Sequence, residues 1–208
     1  MNQLNDSLRI SKTPLVNTAR DDRDDHAVSG LRSEHKLDIK AIKRIHVEVA
    51  QGAYDVLGGG SYGPKKECRI KEQADHNLMY LVSVALLDGE VWPEQFATER
   101  INRSDVQDLM KKVTASPNDA FSRRIGPEMP AAITIELENG ETIRGEKAVF
   151  DGFYFTPMSW EQVRAKFDRL TEGKLDKGPG REISTAASEI DAIAVKHLTA
   201  LLGRVSPP

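Results

Sequence analysis

From Ile45 to Val49 the chain alternates apolar Ile45, Val47 and Val49 with polar His46 and Glu48, the period of a strand that buries one face. Just upstream, Asp38 is placed to cap a short helix that turns Ile39 and Ile42 inward. The same alternation returns at Ile133, Ile135 and Leu137 against Thr134 and Glu136, and Asn139-Gly140 then predicts a type I′ turn into a strand from Thr142 to Val149. Elsewhere the spacing is helical. Val106, Leu109, Met110 and Val113 share a face behind a Ser104/Gln107 capping box, after which Pro117 and Pro127 break a connecting segment. Trp160, Val163, Phe167 and Leu170 repeat the pattern behind Ser159/Gln162. Ile183, Ala186, Ala187, Ile190, Ala194, Leu198 and Leu201 predict one long amphipathic helix closed by Gly203.

One segment departs from amphipathic spacing. In DHNLMYLVSVALL, Asp75 to Leu87, apolar residues fill almost the whole helical circumference, and Asp88-Gly89 supplies a left-handed stop. Each apolar side chain from Leu78 to Leu87 contributes up to roughly 1.5 to 3 kcal/mol when fully buried, so this helix is expected at the centre of the fold. His76, Tyr80 and Ser83 lie three or four residues apart and predict one polar stripe on it. A buried polar group left unpaired costs about 1 to 3 kcal/mol, so these side chains need partners in the chain or in a ligand.

The succession of elements gives an α+β fold: a small mixed or antiparallel sheet with a β-hairpin, covered by helices that include a buried central helix and the long C-terminal one. Residues 1 to 34 hold few large apolar side chains and read as a poorly ordered extension, leaving an ordered domain at 35 to 205. The 208 residues carry 29 Lys and Arg against 32 Asp and Glu, and no basic face of the size nucleic acid requires. No apolar run is long enough to span a bilayer, and the polar N-terminus lacks a secretory core, so a soluble cytoplasmic protein is expected. The lone Cys68 permits no internal disulfide and no cysteine pair for zinc.

Other candidate sites are weaker. Asp21, Asp22 and Asp25 fit an aspartate-rich metal pattern in spacing, but no apolar face surrounds them. The glycine run from Gly58 to Gly63 has neither the spacing nor the Lys-Ser/Thr ending of a phosphate cradle and reads as a loop. His46 and His197 read as structural or solvated histidines, and Cys68 as a small apolar residue.

The stretch KEQADHNLMYLVSVALLDGEV, Lys71 to Val91, resembles the x-E-x-A-D-H-S-L-P-Y-x-x-x-x-A-L-x-D-G segment of the MmgE/PrpD family, which includes 2-methylcitrate dehydratase and is related to cis-aconitate decarboxylase. Gly152-Phe153, Pro157-Met158-Ser159-Trp160-Glu161-Gln162-Val163 and Lys166-Phe167 resemble the family's G-x-x-x-x-P-M-S-W-E-x-V-x-x-K-F stretch, so the likeness runs from about Lys36 to Leu202. Members have a large helical domain followed by a smaller α+β lid, with a carboxylate substrate between them; only the lid is recognisable here. The resemblance implies elimination of water from a hydroxy-tricarboxylate without a metal or other cofactor. It places Tyr80 at the cleft as a hydrogen-bond donor and His76 beside it as an acid or base, with Asp75 and Ser83 as substrate-binding neighbours. The expected partners are a small tricarboxylate and either a second copy of the chain or a separate helical subunit, with no nucleic acid and no membrane. The alternative is a non-catalytic module that dimerises or docks onto a helical subunit, since a bare apolar face favours association.

Overall fold

The computed structural model describes residues 27–205, which divide into two compact units, 27–157 and 158–205. Numbering only helices of six or more residues, the first unit contains α1 (Ala27–Glu34), β1 (Ile42–Val49), α2 (Leu78–Asp88), α3 (Ser104–Met110), β2 (Val113–Pro117), α4 (Asp119–Arg124), β3 (Ala131–Leu137) and β4 (Thr142–Lys147). The second contains α5 (Trp160–Thr171), α6 (Lys177–Ser188) and α7 (Val195–Leu202). The protein is α+β, with a four-stranded mixed sheet in the order β2-β1-β3-β4.

The strand alternation sets the sheet's two faces. Ile45, Val47 and Val49 are buried, and Ile45 stands level with Val113 on parallel β2 and with Ile135 on antiparallel β3. Their polar neighbours cross-link the other face. His46 Nδ1 lies 3.0 Å from Thr114 Oγ1 and Nε2 2.9 Å from Ser116 Oγ, while Arg144 Nη1 reaches Glu48 Oε2 at 2.7 Å. Both ring nitrogens of His46 are thus satisfied within the sheet.

Helix α2 is buried nearly all round because it has neighbours on every side: α1, α3 and β2 pack against it. Val28 and Leu31 on α1 and Val106, Leu109 and Met110 on α3 share its core. Gly89 closes α2 at φ 81°, the left-handed stop read from Asp88-Gly89, and Arg32 Nη1 donates to the Leu87 carbonyl at 3.0 Å.

Several local expectations are corrected. Residues 27–34, assigned from sequence to a loose extension, form α1, whose Val28 and Leu31 are core residues; the rest of that extension, with Asp21, Asp22 and Asp25, lies outside the described residues. Val113 belongs to β2, not to the helix before it, because parallel pairing with β1 outweighs helical spacing. Ser104 is the first residue of α3, so no capping box forms there; the Gln107 amide instead donates to the carbonyls of Cys68 and Ile101 at 2.9 and 2.7 Å. The hairpin turn places only Gly140 at positive φ, 86°, with Gly140 N donating to Leu137 O and Leu137 N to Glu141 O. That is a three-residue turn with a glycine bulge in place of type I′.

In the second unit the Ser159/Gln162 capping box is present in both directions, at 3.2 and 2.8 Å. The apolar stripe from Ile183 to Leu201 is carried by α6 and α7, not by one helix. A straight helix over those residues would extend about 1.5 Å per residue with its stripe unpartnered, whereas the bend at 189–194 lets Ile183 and Ala186 pack on Leu201. His197 is exposed, on the face away from this small core. No helix of the described residues is long and apolar enough to cross a membrane.

Candidate functional site

The segment Asp75 to Ser83 separates into two chemically distinct halves. Asn77, with φ −129°, caps α2: its side-chain oxygen accepts from Tyr80 N at 3.1 Å, and its amide donates to the Lys65 carbonyl at 3.0 Å. His76 therefore precedes the helix and is not on its face. The expected stripe of His76, Tyr80 and Ser83 does not exist as one surface.

Tyr80 is fully buried, tilted against Phe96 with ring centroids 5.9 Å apart, and its hydroxyl donates to the Gln95 carbonyl. Burial holds the phenol well above its ordinary pKa, so it remains protonated and committed to that carbonyl. Ser83 is also fully buried and donates to the Met79 carbonyl one turn back, at 2.7 Å. Inside the first unit both hydroxyls are thus spent on backbone carbonyls, Tyr80 on Gln95 and Ser83 on Met79, which gives both side chains a structural role there. The physical reason is that α1, α3 and β2 pack against this helix and bury most of its circumference.

Asp75 and His76 are different. Both are half-buried in the turn between the short helix Lys71–Ala74 and α2. Asp75 Oδ2 accepts from Lys71 Nζ at 2.9 Å, but Oδ1 is buried without a hydrogen-bond partner. His76 makes no hydrogen bond among the described residues. A buried carboxylate oxygen and an imidazole, adjacent in sequence, are thus the polar side-chain groups between Asp75 and Ser83 with hydrogen-bonding capacity unspent among the described residues.

Residues 65–71 cross this turn as a strap fastened at four points. Lys65 O is held by Asn77, Cys68 O by Gln107, and Arg69 N donates to Gln73 Oε1 at 2.8 Å while its carbonyl accepts from Asn102 Nδ2 at 2.9 Å. Cys68 points inward, and burial pushes its thiol up to about 12, so it is a core residue and no nucleophile. Among the described residues no group of three His, Cys, Asp or Glu is arranged to hold a metal. At the far end of α2, Arg100 grips Asp88 through Nε at 3.0 Å and Nη2 at 2.6 Å and reaches Asp105 at 3.0 Å; Gln95 Nε2 adds a bond to Asp88 at 3.0 Å. Burial opposes ionisation of Asp88, but these bonds outweigh it and hold the carboxyl below its ordinary value. Sequence reasoning passed over Asn77 and the strap, although an Asn directly before an apolar run is a helix-start signal.

The family model described as MmgE/PrpD C-terminal domain matches residues 26–192. This chain belongs to the MmgE/PrpD family. The match takes in α1, the rest of the first unit and the second unit as far as residue 192, short of α7. Similar proteins include a cis-aconitate decarboxylase of Mus musculus, 30% identical over 99 residues, 47% of this chain and 20% of that protein. A cis-aconitate decarboxylase-like protein, oryM, of Aspergillus oryzae is 24% identical over 162 residues, 77% of this chain and 33% of the relative. The cis-aconitate decarboxylase of Homo sapiens is 26% identical over 141 residues, 66% and 29% of the two chains. The aligned region thus covers a third or less of each relative's length.

Proposed function

We propose that this MmgE/PrpD domain is the lid of a lyase that acts on a tricarboxylate, with the turn Asp75-His76 as its contribution to the substrate cleft and a helical domain supplying the other wall. The observation that carries this reading is the pairing of buried, unpartnered Asp75 Oδ1 with the uncommitted His76 imidazole, inside the segment on which the family resemblance is strongest. An imidazole can both give and take a proton, and water elimination and decarboxylation followed by protonation at carbon each require a group that does so. Relatives named cis-aconitate decarboxylase support a tricarboxylate lyase, while the resemblance to 2-methylcitrate dehydratase points to a hydroxylated substrate of the same charge.

The experiment is to assay 2-methylcitrate dehydration and cis-aconitate decarboxylation with this chain alone and with a helical MmgE/PrpD domain added. Turnover restored by the added domain and lowered at least about a hundredfold by His76→Gln supports the reading. Turnover indifferent to His76 sinks it. A second reading, a docking module without catalysis, is favoured by Tyr154 and Phe155, 84% and 58% exposed at the tip of a turn fastened by Gly152 N to Thr156 O at 2.8 Å. Binding of the helical domain with no turnover of either acid is its expected result.

A further inference from the structure

Residues 65–71 carry Lys65, Lys66, Arg69 and Lys71 against the single acid Glu67. Arg69 and Lys71 are engaged, the first within 3.5 Å of Asn102 Oδ1 and the second by Asp75. Lys65 and Lys66 form no ion pair among the described residues. Of these two, Lys66 is exposed, as an unpaired lysine ordinarily is, but Lys65 is half-buried. Its backbone is also fixed: the bond from Asn77 Nδ2 to its carbonyl holds residue 65 against the cap of α2, next in sequence to His76. A cation partly withdrawn from water without a counter-ion, on a strap pinned at four points, is prepared for an anion that arrives from outside.

Resting on the tricarboxylate reading above, we propose that Lys65 is the specificity-determining cation of the Asp75-His76 site, holding a carboxylate of the substrate that does not react. The single contact would favour multiply charged acids over monocarboxylates, because a second carboxylate is needed to reach Lys65 while the first meets the turn. Lys71 neutralises Asp75 through their 2.9 Å ion pair, so the orphan Asp75 oxygen does not repel an anion by a full charge. The strap thus does for binding what His76 does for proton transfer.

The test titrates the full chain with citrate and with acetate, following the His76 imidazole signals by NMR, in the unsubstituted protein, Lys65→Gln, Lys65→Arg and Lys43→Gln. Lys43 is a control, since it is exposed and paired with Glu136 at 2.7 Å. Citrate is expected to shift the His76 signals, Lys65→Gln to weaken it about tenfold and narrow its advantage over acetate, and Lys65→Arg and Lys43→Gln to bind as the parent does. Undiminished citrate affinity in Lys65→Gln, with His76 still responding, overturns the role of Lys65 and leaves the site reading intact. Citrate that moves no His76 signal in the parent protein overturns both. A matched circular dichroism spectrum for Lys65→Gln shows that any loss is not unfolding.

Discussion

The hydroxyl of Tyr80 donates to the backbone carbonyl of Gln95, tying the first turn of α2 to the short turn Pro93–Phe96 beyond its end and sealing the phenol inside the first unit. Tyr80→Phe keeps the ring against Phe96 but strands that carbonyl, so a loss of about 1 to 3 kcal/mol is expected in urea unfolding. Ser83→Ala removes only a second bond to a helical carbonyl and should cost well under about 1 kcal/mol. A Tyr80→Phe protein as stable as the parent, or Ser83→Ala the worse of the two, contradicts this assignment.

Alkaline stability follows from the same burial. The folded Tyr80 phenol titrates above its unfolded value of about 10, so its contribution is fully present below that pH and is lost as pH rises through the folded value. Cys68, raised to about 12 from an unfolded value of about 8.5, adds a loss of the same sign that begins earlier. Unfolding free energy should therefore decline above about pH 8.5 and more steeply above about 10, and Tyr80→Phe should remove the steeper part. Denaturant melts at a series of alkaline pH values measure both.

The Asp88–Arg100 pair predicts the acid limb. The Asp88 carboxyl titrates below its unfolded value near 4 when folded, so its contribution is present above about pH 4 and is lost as pH falls through the folded value. Arg100→Met leaves Asp88 and Asp105 without their shared partner and is expected to cost about 2 to 3 kcal/mol at neutral pH. In that variant the decline as pH falls below about 4 should flatten. Acid titrations of the two proteins that superimpose after a constant offset would refute the assignment.

Asn77 joins two structures with one side chain. Asn77→Ala removes the cap of α2 and the tie to Lys65, a loss of about 1 to 2 kcal/mol, and frees amide exchange in residues 63 to 70 ahead of the global transition. Asn77→Asp keeps the capping oxygen and loses only the tie, so it should be the milder change in stability but equal in its effect on the strap. Hydrogen exchange resolves the two contributions.

In the second unit, Ser159→Ala breaks the capping box of α5 and should cost about 1 kcal/mol without altering the alkaline or acid limbs, whose groups lie in the first unit. A change in either limb would contradict that separation.

Periodicity alone made much of this protein legible. The alternation around Ile45 and Ile133 located two strands, Ser159/Gln162 located a helix start, and the largely apolar run from Leu78 to Leu87 marked the central helix together with its Gly89 stop. Such signals are local: a pleat, a cap and a glycine of positive φ are each encoded within a few residues. Long-range pairing was not legible. Val113 has helical spacing from Met110 and Leu109, yet it is a strand residue because β1 offers it a parallel partner. The stripe from Ile183 to Leu201 suits one helix, but a small unit must fold back to obtain a core.

The candidate site follows the same division. The sequence by itself determined that Asp75, His76, Tyr80 and Ser83 lie beside or within a helix too apolar for a surface, and that this segment resembles the MmgE/PrpD family. Only the tertiary structure decided which of them are spent on partners inside the fold. Whether a polar side chain is spent depends on acceptors distant in sequence: the Gln95 carbonyl takes the Tyr80 hydroxyl, the Lys65 carbonyl takes the Asn77 amide, and no described group takes the buried oxygen of Asp75. Helical spacing fixes direction along one element, whereas burial and partnership arise from the packing of several, which is why the turn before α2, and not its face, carries the unspent chemistry.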